Sequence, residues 1–464
     1  MDNNHLITSS GPMKLRILFS YTLLIILCLP LMVWAQTEVR TWDDLNALRT
    51  NLSGTYILMN NLDENSAGYS NYASGDGWLP IGTAEAPFTG TLDGQGYVIE
   101  NLRSSRGVGN VGLFGVTSGA TVKNLTITQA EITAAASSSG VLIGNATDTR
   151  IEKVHVSGSF DQVDDTGATS FGGIVGRMVG GIITESSSGV TITTVGRFVG
   201  GLIGTATSGV TIETSFNTGN INSQFRWIGG LVGQFGGSSI IRDSYSTGNI
   251  TGTTQVGGLV GFHWRASEIY NSYTTGTVTG DEEVGALSGF IDPPQGEAIA
   301  VIERSYFNSE TSGVSVGASN NPDYNGNGKS SSELRTESTF TDWDFTTVWT
   351  FVPEVNDGFP VLQHQTATSV DGLDAIPVQV QLSQNFPNPF NPTTTIRFEL
   401  PASQHVQLAV YSVAGQLIGT LVNEIRPAGV HEVRFDAGQL SSGVYIYQLR
   451  AGETSVTRRM TLIK

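Results

Sequence analysis

The sequence predicts an all-β protein in two parts. The first is a right-handed parallel β-helix, or β-solenoid, of about seven repeats of roughly 28 residues. The second is a small antiparallel β-sandwich. Three observations predict this. Two short phrases recur in step along the middle of the chain. The apolar runs are short, β-branched and bounded by Gly, Ser, Thr and Asn. The last 84 residues alternate apolar and polar positions between turn signals.

Composition agrees. The chain has 464 residues, a formal net charge of −17, 57 Gly and one Cys. Charged residues make up 14%, against about 25% in ordinary globular domains. With Val, Ile and Leu plentiful, a disordered acidic chain is excluded. One Cys excludes a disulfide scaffold. An acidic surface argues against nucleic acid, whose phosphates need basic partners.

At the amino terminus, Lys14 and Arg16 precede an apolar run from Ile17 to Trp34. Val33 and Ala35 place small residues at the −3 and −1 positions. Residues 1–35 therefore read as a signal peptide cleaved after Ala35, with a retained signal anchor as the alternative. Cys28 lies inside this run, and Leu27 before it is not the small residue a lipoprotein signal needs. No later stretch approaches the ~20 apolar residues of a membrane span, so the mature chain is expected to have none.

Residues 36–102 read as an amino-terminal cap and first coil. Within them, Thr41 to Asp63 reads as a short helix and then a strand. Residues 103–310 are the repeats. GLFG, VLIG, GIVG, GLIG, LVG, LVG and LSG end at Gly115, Gly144, Gly176, Gly204, Gly233, Gly261 and Gly289. The residues two before these glycines are Leu113, Leu142, Ile174, Leu202, Leu231, Leu259 and Leu287, candidate core positions. A second phrase, such as IRDSYSTG, begins at Val122, Ile151, Ile183, Ile212, Ile241, Ile269 and Ile302 with the same period. Helical repeats would show apolar residues at i, i+3, i+4 and i+7, which are missing. Propeller blades need about 40 residues. One coil per repeat fits, and seven coils at strand spacing stack to roughly 34 Å. Residues 311–364 read as the closing cap that a stack with open edges requires.

These phrases resemble the GLUG-repeat family. GGLVG alternating with I-x-x-S-Y-x-T-G carries the resemblance, as do FTGTLDGQGYVIENL before it and WDFTTVW…GFPVLQ after it. The resemblance implies a secreted or surface protein of bacteria. Some relatives flank the catalytic domain of zinc-dependent immunoglobulin A proteases.

Residues 365–380 read as a polar linker. From Thr394 onward six or seven strands alternate, with turns at Ala414-Gly415, Pro427-Ala428-Gly429 and Ser441-Ser442-Gly443. About 84 residues of such strands make a sandwich. The prolines at 387, 389 and 392 cannot donate ladder hydrogen bonds, so the leading segment is expected to be an irregular clasp. Residues 381–464 resemble the sorting domain of type IX secretion substrates in Bacteroidetes and related phyla. The matching residues are Asn385, Phe386, Pro387, Asn388, Pro389, Phe390, Asn391 and Pro392, then Val410-Tyr411, Gly415, Leu421, Gly429, Phe435, Leu440 to Gly443, Val444, Tyr445 and the final Leu462-Ile463-Lys464. The sandwich also resembles the Ig-like domain of flagellar hook-cap proteins in fold. The resemblance implies Sec export, passage across an outer membrane by the type IX machinery, and release or surface attachment. Charge supports the division: residues 381–464 carry a net of +2, leaving −20 for residues 36–380.

Catalytic chemistry is sparse. The six His stand at 5, 155, 263, 364, 405 and 431, so no His-Glu-x-x-His zinc site exists. Asp161, Asp164 and Asp165, and separately Asp281, Glu282 and Glu283, could supply paired carboxylates for a glycosidic bond. Solvated turns are the plainer reading. Asp323 to Gly328 has the D-x-N-x-N-G order of a calcium loop, but its twelfth position is Leu334 rather than an acid. A plain turn is the better reading, so no cofactor is expected. One column stands out: Phe216, Tyr245, Tyr273 and Tyr306 occupy the fifth position of the second phrase in four consecutive repeats. Facing outward, they would offer a ligand-binding ladder for a sugar chain. Facing inward, they are core. The expectation is a noncatalytic adhesin or binder of extracellular polysaccharide or a surface receptor. A carbohydrate-active enzyme and a purely structural surface protein are the alternatives.

Overall fold

The computed structural model describes residues 36–464, except 108, 134–137, 163–169, 293–299, 354, 366–379, 383–384, 386–387, 401–403, 427–428, 453 and 464. The signal-peptide reading thus lies outside the described residues. The chain is all-β, with a parallel solenoid of about seven turns and small antiparallel sheets toward the carboxyl terminus.

One coil shows how the phrases build the solenoid. It runs through strands Val199–Gly200, Ile203–Thr207, Thr211–Glu213, Phe216–Asn217 and Ile221–Ser223. Each pairs in parallel with its equivalent in the next coil: Val199 with Ile228, Ile203 with Val232, Ile212 with Ile241, Phe216 with Tyr245, Ile221 with Ile250. Both expected phrases therefore keep one register.

The glycines of the first phrase are required by close backbone approach. A Cβ on Gly233 would lie 2.4 Å from the Val199 nitrogen, and one on Gly230 would lie 2.0 Å from the Gly258 carbonyl oxygen. Each coil can therefore fold sharply back on itself at this corner only with glycine there. The intervening Leu202, Leu231, Leu259 and Leu287 point inward and are fully buried. The Leu231 amide donates to the Leu259 carbonyl at 2.8 Å, so the two are equivalent in adjacent coils.

The second phrase explains its serine. The residue before it is left-handed in each coil: Thr214, Asp243, Asn271 and Arg304 have φ of 45–48°. The chain turns a corner there, and ladder bonding lapses. The following serines, Ser215, Ser244, Ser272 and Ser305, are fully buried and fill the gap. Each hydroxyl accepts the amide of the equivalent residue one coil back: Ser244 from Ser215 at 3.2 Å, Ser272 from Ser244 at 3.3 Å, Ser305 from Ser272 at 3.2 Å. Each also donates to the carbonyl two residues before it, as Ser244 does to Arg242 at 2.8 Å. A polar residue deep in a corner is stable only when satisfied in this way.

Both ends are covered. Helix Trp42–Ala47 opens with a capping box between Thr41 and Asp44, and Trp42 is buried against Trp78. At the other end the amides of Ala286 and Leu287 donate to Val316 and Gly317, and Gly328–Lys329 pairs with Phe307–Asn308. Residues 309–329 thus close the stack. The expected closing cap extends further, and the structure corrects its second half. The aromatic-rich residues 341–365 do not sit on the end. They run back along the flank, from Trp343, whose Nε1 donates to Arg304, to Gln365 on Tyr245. The outward rings of that flank give them apolar surface to cover.

The carboxyl-terminal domain has two antiparallel sheets. One holds Gln381–Leu382, Thr393–Leu400 and Gly429–Asp436. The other holds Leu417–Arg426, Gln404–Ser412, Gly443–Ala451 and Thr454–Leu462 in that order. Their facing residues, including Phe398, Leu408, Tyr447 and Met460, form a core of their own.

Candidate functional site

The sequence-predicted column is in register: Phe216 pairs with Tyr245, Tyr245 with Tyr273, Tyr273 with Tyr306. Ser244 beside it takes the corner and Ser246 faces the interior, so the tyrosine rings point away from the solenoid core. Outward does not mean exposed, and the expected solvent-facing ladder is corrected here. Tyr245 and Tyr273 are 2% and 0% exposed. They belong to a separate cluster with Leu334, Phe340, Trp343, Trp349, Phe359 and Leu362 from the returning segment. Phe216 and Tyr306 are half-buried at its margins.

The cover is specific. The Tyr245 hydroxyl donates to Gln365 Oε1 at 3.1 Å, and the Tyr273 hydroxyl donates to the Pro360 carbonyl. Trp349 Nε1 donates to Asp243 Oδ1 at 3.1 Å. Burial pushes the Tyr245 and Tyr273 phenols well above their ordinary value. It also raises the Asp243 carboxyl, although Trp349 and Asn271 hydrogen bonds pull the other way. Burial, with His155 and Lys153 nearby, holds His364 down at about 3.

Stacking itself limits what the column can bind. Phe216 and Tyr245 stack at 4.9 Å and 4°, Tyr245 and Tyr273 at 5.0 Å and 14°. Rings in such a ladder turn their faces to one another and only edges outward. In this column the returning segment covers the edges as well, so Tyr245 and Tyr273 offer a ligand no open ring surface.

A second strip, which the sequence reading missed, lies at the corner before the first phrase. Phe198 and Trp227 occupy equivalent positions in adjacent coils and stack at 4.5 Å and 16°. Trp227 continues to Phe262 at 6.0 Å, and Phe262 to Phe290 at 6.0 Å. All four are half-buried. Phe198 and Trp227 have φ of 52° and 66°, as do Gln255 and Glu283 at 58° and 53° one and two coils on. Bulky side chains at such angles cost on the order of 1–3 kcal/mol each. The Arg226 guanidinium lies 4.0 Å from the Trp227 ring centroid, and that of Arg197 lies 4.5 Å from Phe225. The signal was present: aligning repeats on Gly-Gly puts Phe198, Trp227, Gln255 and Glu283 in one column. It was overlooked because only two of the four are aromatic.

The remaining candidates are dispersed. Asp161, Asp281 and Glu282 are exposed and Glu283 half-buried, while Asp164 and Asp165 lie outside the described residues. Pro322–Asn327 is a 3-10 helix capped by Asn321. Glu333, nearest the missing calcium ligand, accepts instead from the Ser330 amide and hydroxyl. Among the described residues no three His, Cys, Asp or Glu are grouped to hold a metal ion.

In the carboxyl-terminal domain, the motif residues fasten the leading segment to the last strand. The buried Asn385 donates from its amide to the Tyr447 hydroxyl and from its side chain to Thr394. Asn388 Oδ1 accepts from the Thr461 amide at 2.8 Å. Phe390 is buried, donates to Thr461 and accepts from Ile463. The Pro392 carbonyl accepts from Ala437, Asn391 is exposed, and Pro389 follows Asn388 into this turn. Gly443 lies opposite Leu462, and the Tyr445 hydroxyl donates to Ser441. Phe386, Pro387 and Lys464 lie outside the described residues. Thr454–Leu462 is an edge strand, bridged at Leu462 by Phe390 and held at Arg458, whose Nε donates to the Leu382 carbonyl.

Comparison with known proteins finds family matches in three parts of the chain. Residues 384–464 match the secretion system C-terminal sorting domain, and residues 252–279 match the GLUG motif. Residues 36–158 match the M26 IgA1-specific metallo-endopeptidase N-terminal region. Halomucin from Haloquadratum walsbyi is 35% identical over 147 residues, which are 30% of this chain and 2% of that protein. The immunoglobulin A1 protease of Streptococcus sanguinis is 33% identical over 144 residues, 31% of this chain and 7% of that protein. The chain thus spans only a small part of the length of either relative. It carries GLUG repeats on a parallel β-solenoid and ends in a type IX secretion sorting domain, which implies export to the cell surface or beyond.

Proposed function

We propose that this chain is a noncatalytic solenoid, displayed on the cell surface or released, that binds extracellular polysaccharide. Residues 1–35 direct Sec export and are cleaved after Ala35. The type IX machinery then reads residues 381–464. The observation that carries the binding reading is the half-buried strip of Phe198, Trp227, Phe262 and Phe290, which still reaches solvent and is flanked by Arg197 and Arg226. Aromatic residues at strained, solvent-reaching corners are costly to a fold and point to a surface that is used. The missing His-Glu-x-x-His signature argues against zinc-protease chemistry.

A second reading, a purely structural surface protein, is favoured by one observation. Both aromatic columns stack ring on ring, which stiffens a stack of coils without any ligand. A screen of the purified chain for polysaccharide binding and depolymerisation separates the readings. Binding without product release supports the proposal, product release makes the chain an enzyme, and no binding leaves the structural role.

A further inference from the structure

Arg197 and Arg226 stand at equivalent positions of adjacent coils, two residues before the paired Val199 and Ile228. Both guanidiniums lie within 6.0 Å of the same Phe225 ring centroid. Arg226 also lies over Trp227 at 4.0 Å. Like charges in directly opposed strand positions repel. Elsewhere on this acidic solenoid several basic side chains find carboxylates, as Arg103 meets Glu131, Arg150 meets Glu152 and Arg242 meets Glu213; Arg265, stacked on Trp264, is another that does not. Among the described residues Arg197 and Arg226 meet none within 4.0 Å.

Two donors in the same strip, Arg226 Nε and Trp227 Nε1, also lack a protein hydrogen-bond partner while shielded from solvent. Such atoms are few in native proteins, and a cluster of them calls for a reason. A guanidinium laid flat on an aromatic ring holds its N–H groups in one plane, and with Arg226 Nε shielded the Nη1/Nη2 edge is the one left for a ligand. That is the geometry for bidentate capture of a planar or tetrahedral oxyanion.

We propose that Arg197 and Arg226 form an oxyanion site that holds the carboxylate or sulfate groups of an acidic polysaccharide. This rests on the polysaccharide-binding reading above and assigns its ligand class. The rings of Phe225 and Trp227 orient the two forks, and the anion relieves their mutual repulsion. The acidic remainder of residues 36–380, net −20, repels the same polymer elsewhere and confines it to this strip.

The test uses the whole chain and three polymers: polygalacturonate for carboxylate, dextran sulfate for sulfate, and neutral dextran. Affinity electrophoresis should show retardation by one or both acidic polymers and none by dextran. The double variant Arg197→Gln/Arg226→Gln should bind at least tenfold more weakly, with a shallower dependence on salt. On the unaltered chain, free sulfate should displace the bound polymer more effectively than chloride at equal ionic strength, a result that needs no variant to fold. Retardation by any polymer that persists in the folded double variant overturns the oxyanion site and leaves the polysaccharide reading standing. Retardation by no polymer overturns both.

Discussion

Replacing Trp349 with Ala should lift residues 341–365 off the tyrosine flank without unfolding the solenoid. Trp349 is fully buried, packs on Trp343 at 4.5 Å, Tyr273 at 5.9 Å and Tyr245 at 6.2 Å, and donates to Asp243. Truncating a buried Trp costs about 3–5 kcal/mol. The lost bond to the half-buried Asp243 carboxylate overlaps with that figure rather than adding to it. At about 1.4 kcal/mol per factor of ten, the opening of this segment rises roughly a hundredfold to a few thousandfold. The loss stays local, because the flank cluster is separate from the main solenoid core. Hydrogen exchange should report the amides of Trp349 and Gln363, which bond to Asp344 and Val348, exchanging faster by that factor. Core amides such as Leu231 should be unchanged. Ultraviolet titration gives a second readout: Tyr245 and Tyr273, raised by burial, should ionise nearer the ordinary tyrosine range once uncovered. Unchanged exchange at Trp349 and Gln363, together with unchanged tyrosine titration, would refute the covering role assigned to this segment.

Other perturbations probe the coils. Leu231→Asp buries an unpaired charge at a fully buried position, which costs several kcal/mol; an unchanged thermal midpoint would show the inward register to be wrong. Ser244→Ala strips the Ser215 amide and the Arg242 carbonyl of their corner partner and should cost about 1–3 kcal/mol; a neutral result would mean the hydroxyl ladder does not hold the corner. His263 is fully buried, donates from Nε2 to the Ser267 carbonyl, and is held by burial at about 4 instead of 6.5. Its Nδ1 has no partner, so a second proton is opposed. The unfolded chain takes up that proton below pH 6.5 while the folded chain does not. Stability therefore falls as pH drops from 6.5 toward about 4, by up to about 3 kcal/mol for this group. His263→Phe, which copies the equivalent Phe235 of the preceding coil, should flatten that part of the pH–stability curve; identical curves would contradict the assignment.

Repetition made the solenoid legible. Leu231 and Leu259 could be placed in one core column because two phrases kept the same period, and the glycine-rich phrase signalled a corner. The sorting domain was legible because its motif residues lie close together in sequence. Long-range contacts were not legible. Nothing local to Tyr245 says that Gln365, 120 residues later, will cover it. Alternation could not settle its direction because the left-handed residue at Asp243 breaks the strand parity. The strip at Phe198 and Trp227 was hidden for a related reason. Its neighbours Phe262 and Phe290 follow the glycine-rich phrase, whereas Phe198 and Trp227 precede it, and the two sets meet only across the corner.

The most direct test of the account is fractionation of a host that has the type IX system. It should express the whole chain, the chain ending at residue 380, and an unrelated periplasmic protein carrying residues 381–464. Among the described residues the buried sandwich core runs from Leu382 to Leu462, so it can be moved as a unit. The account predicts the whole chain and the fusion at the surface or in the medium, and the truncated chain folded in the periplasm. Normal export of the truncated chain, or retention of the fusion, would contradict it.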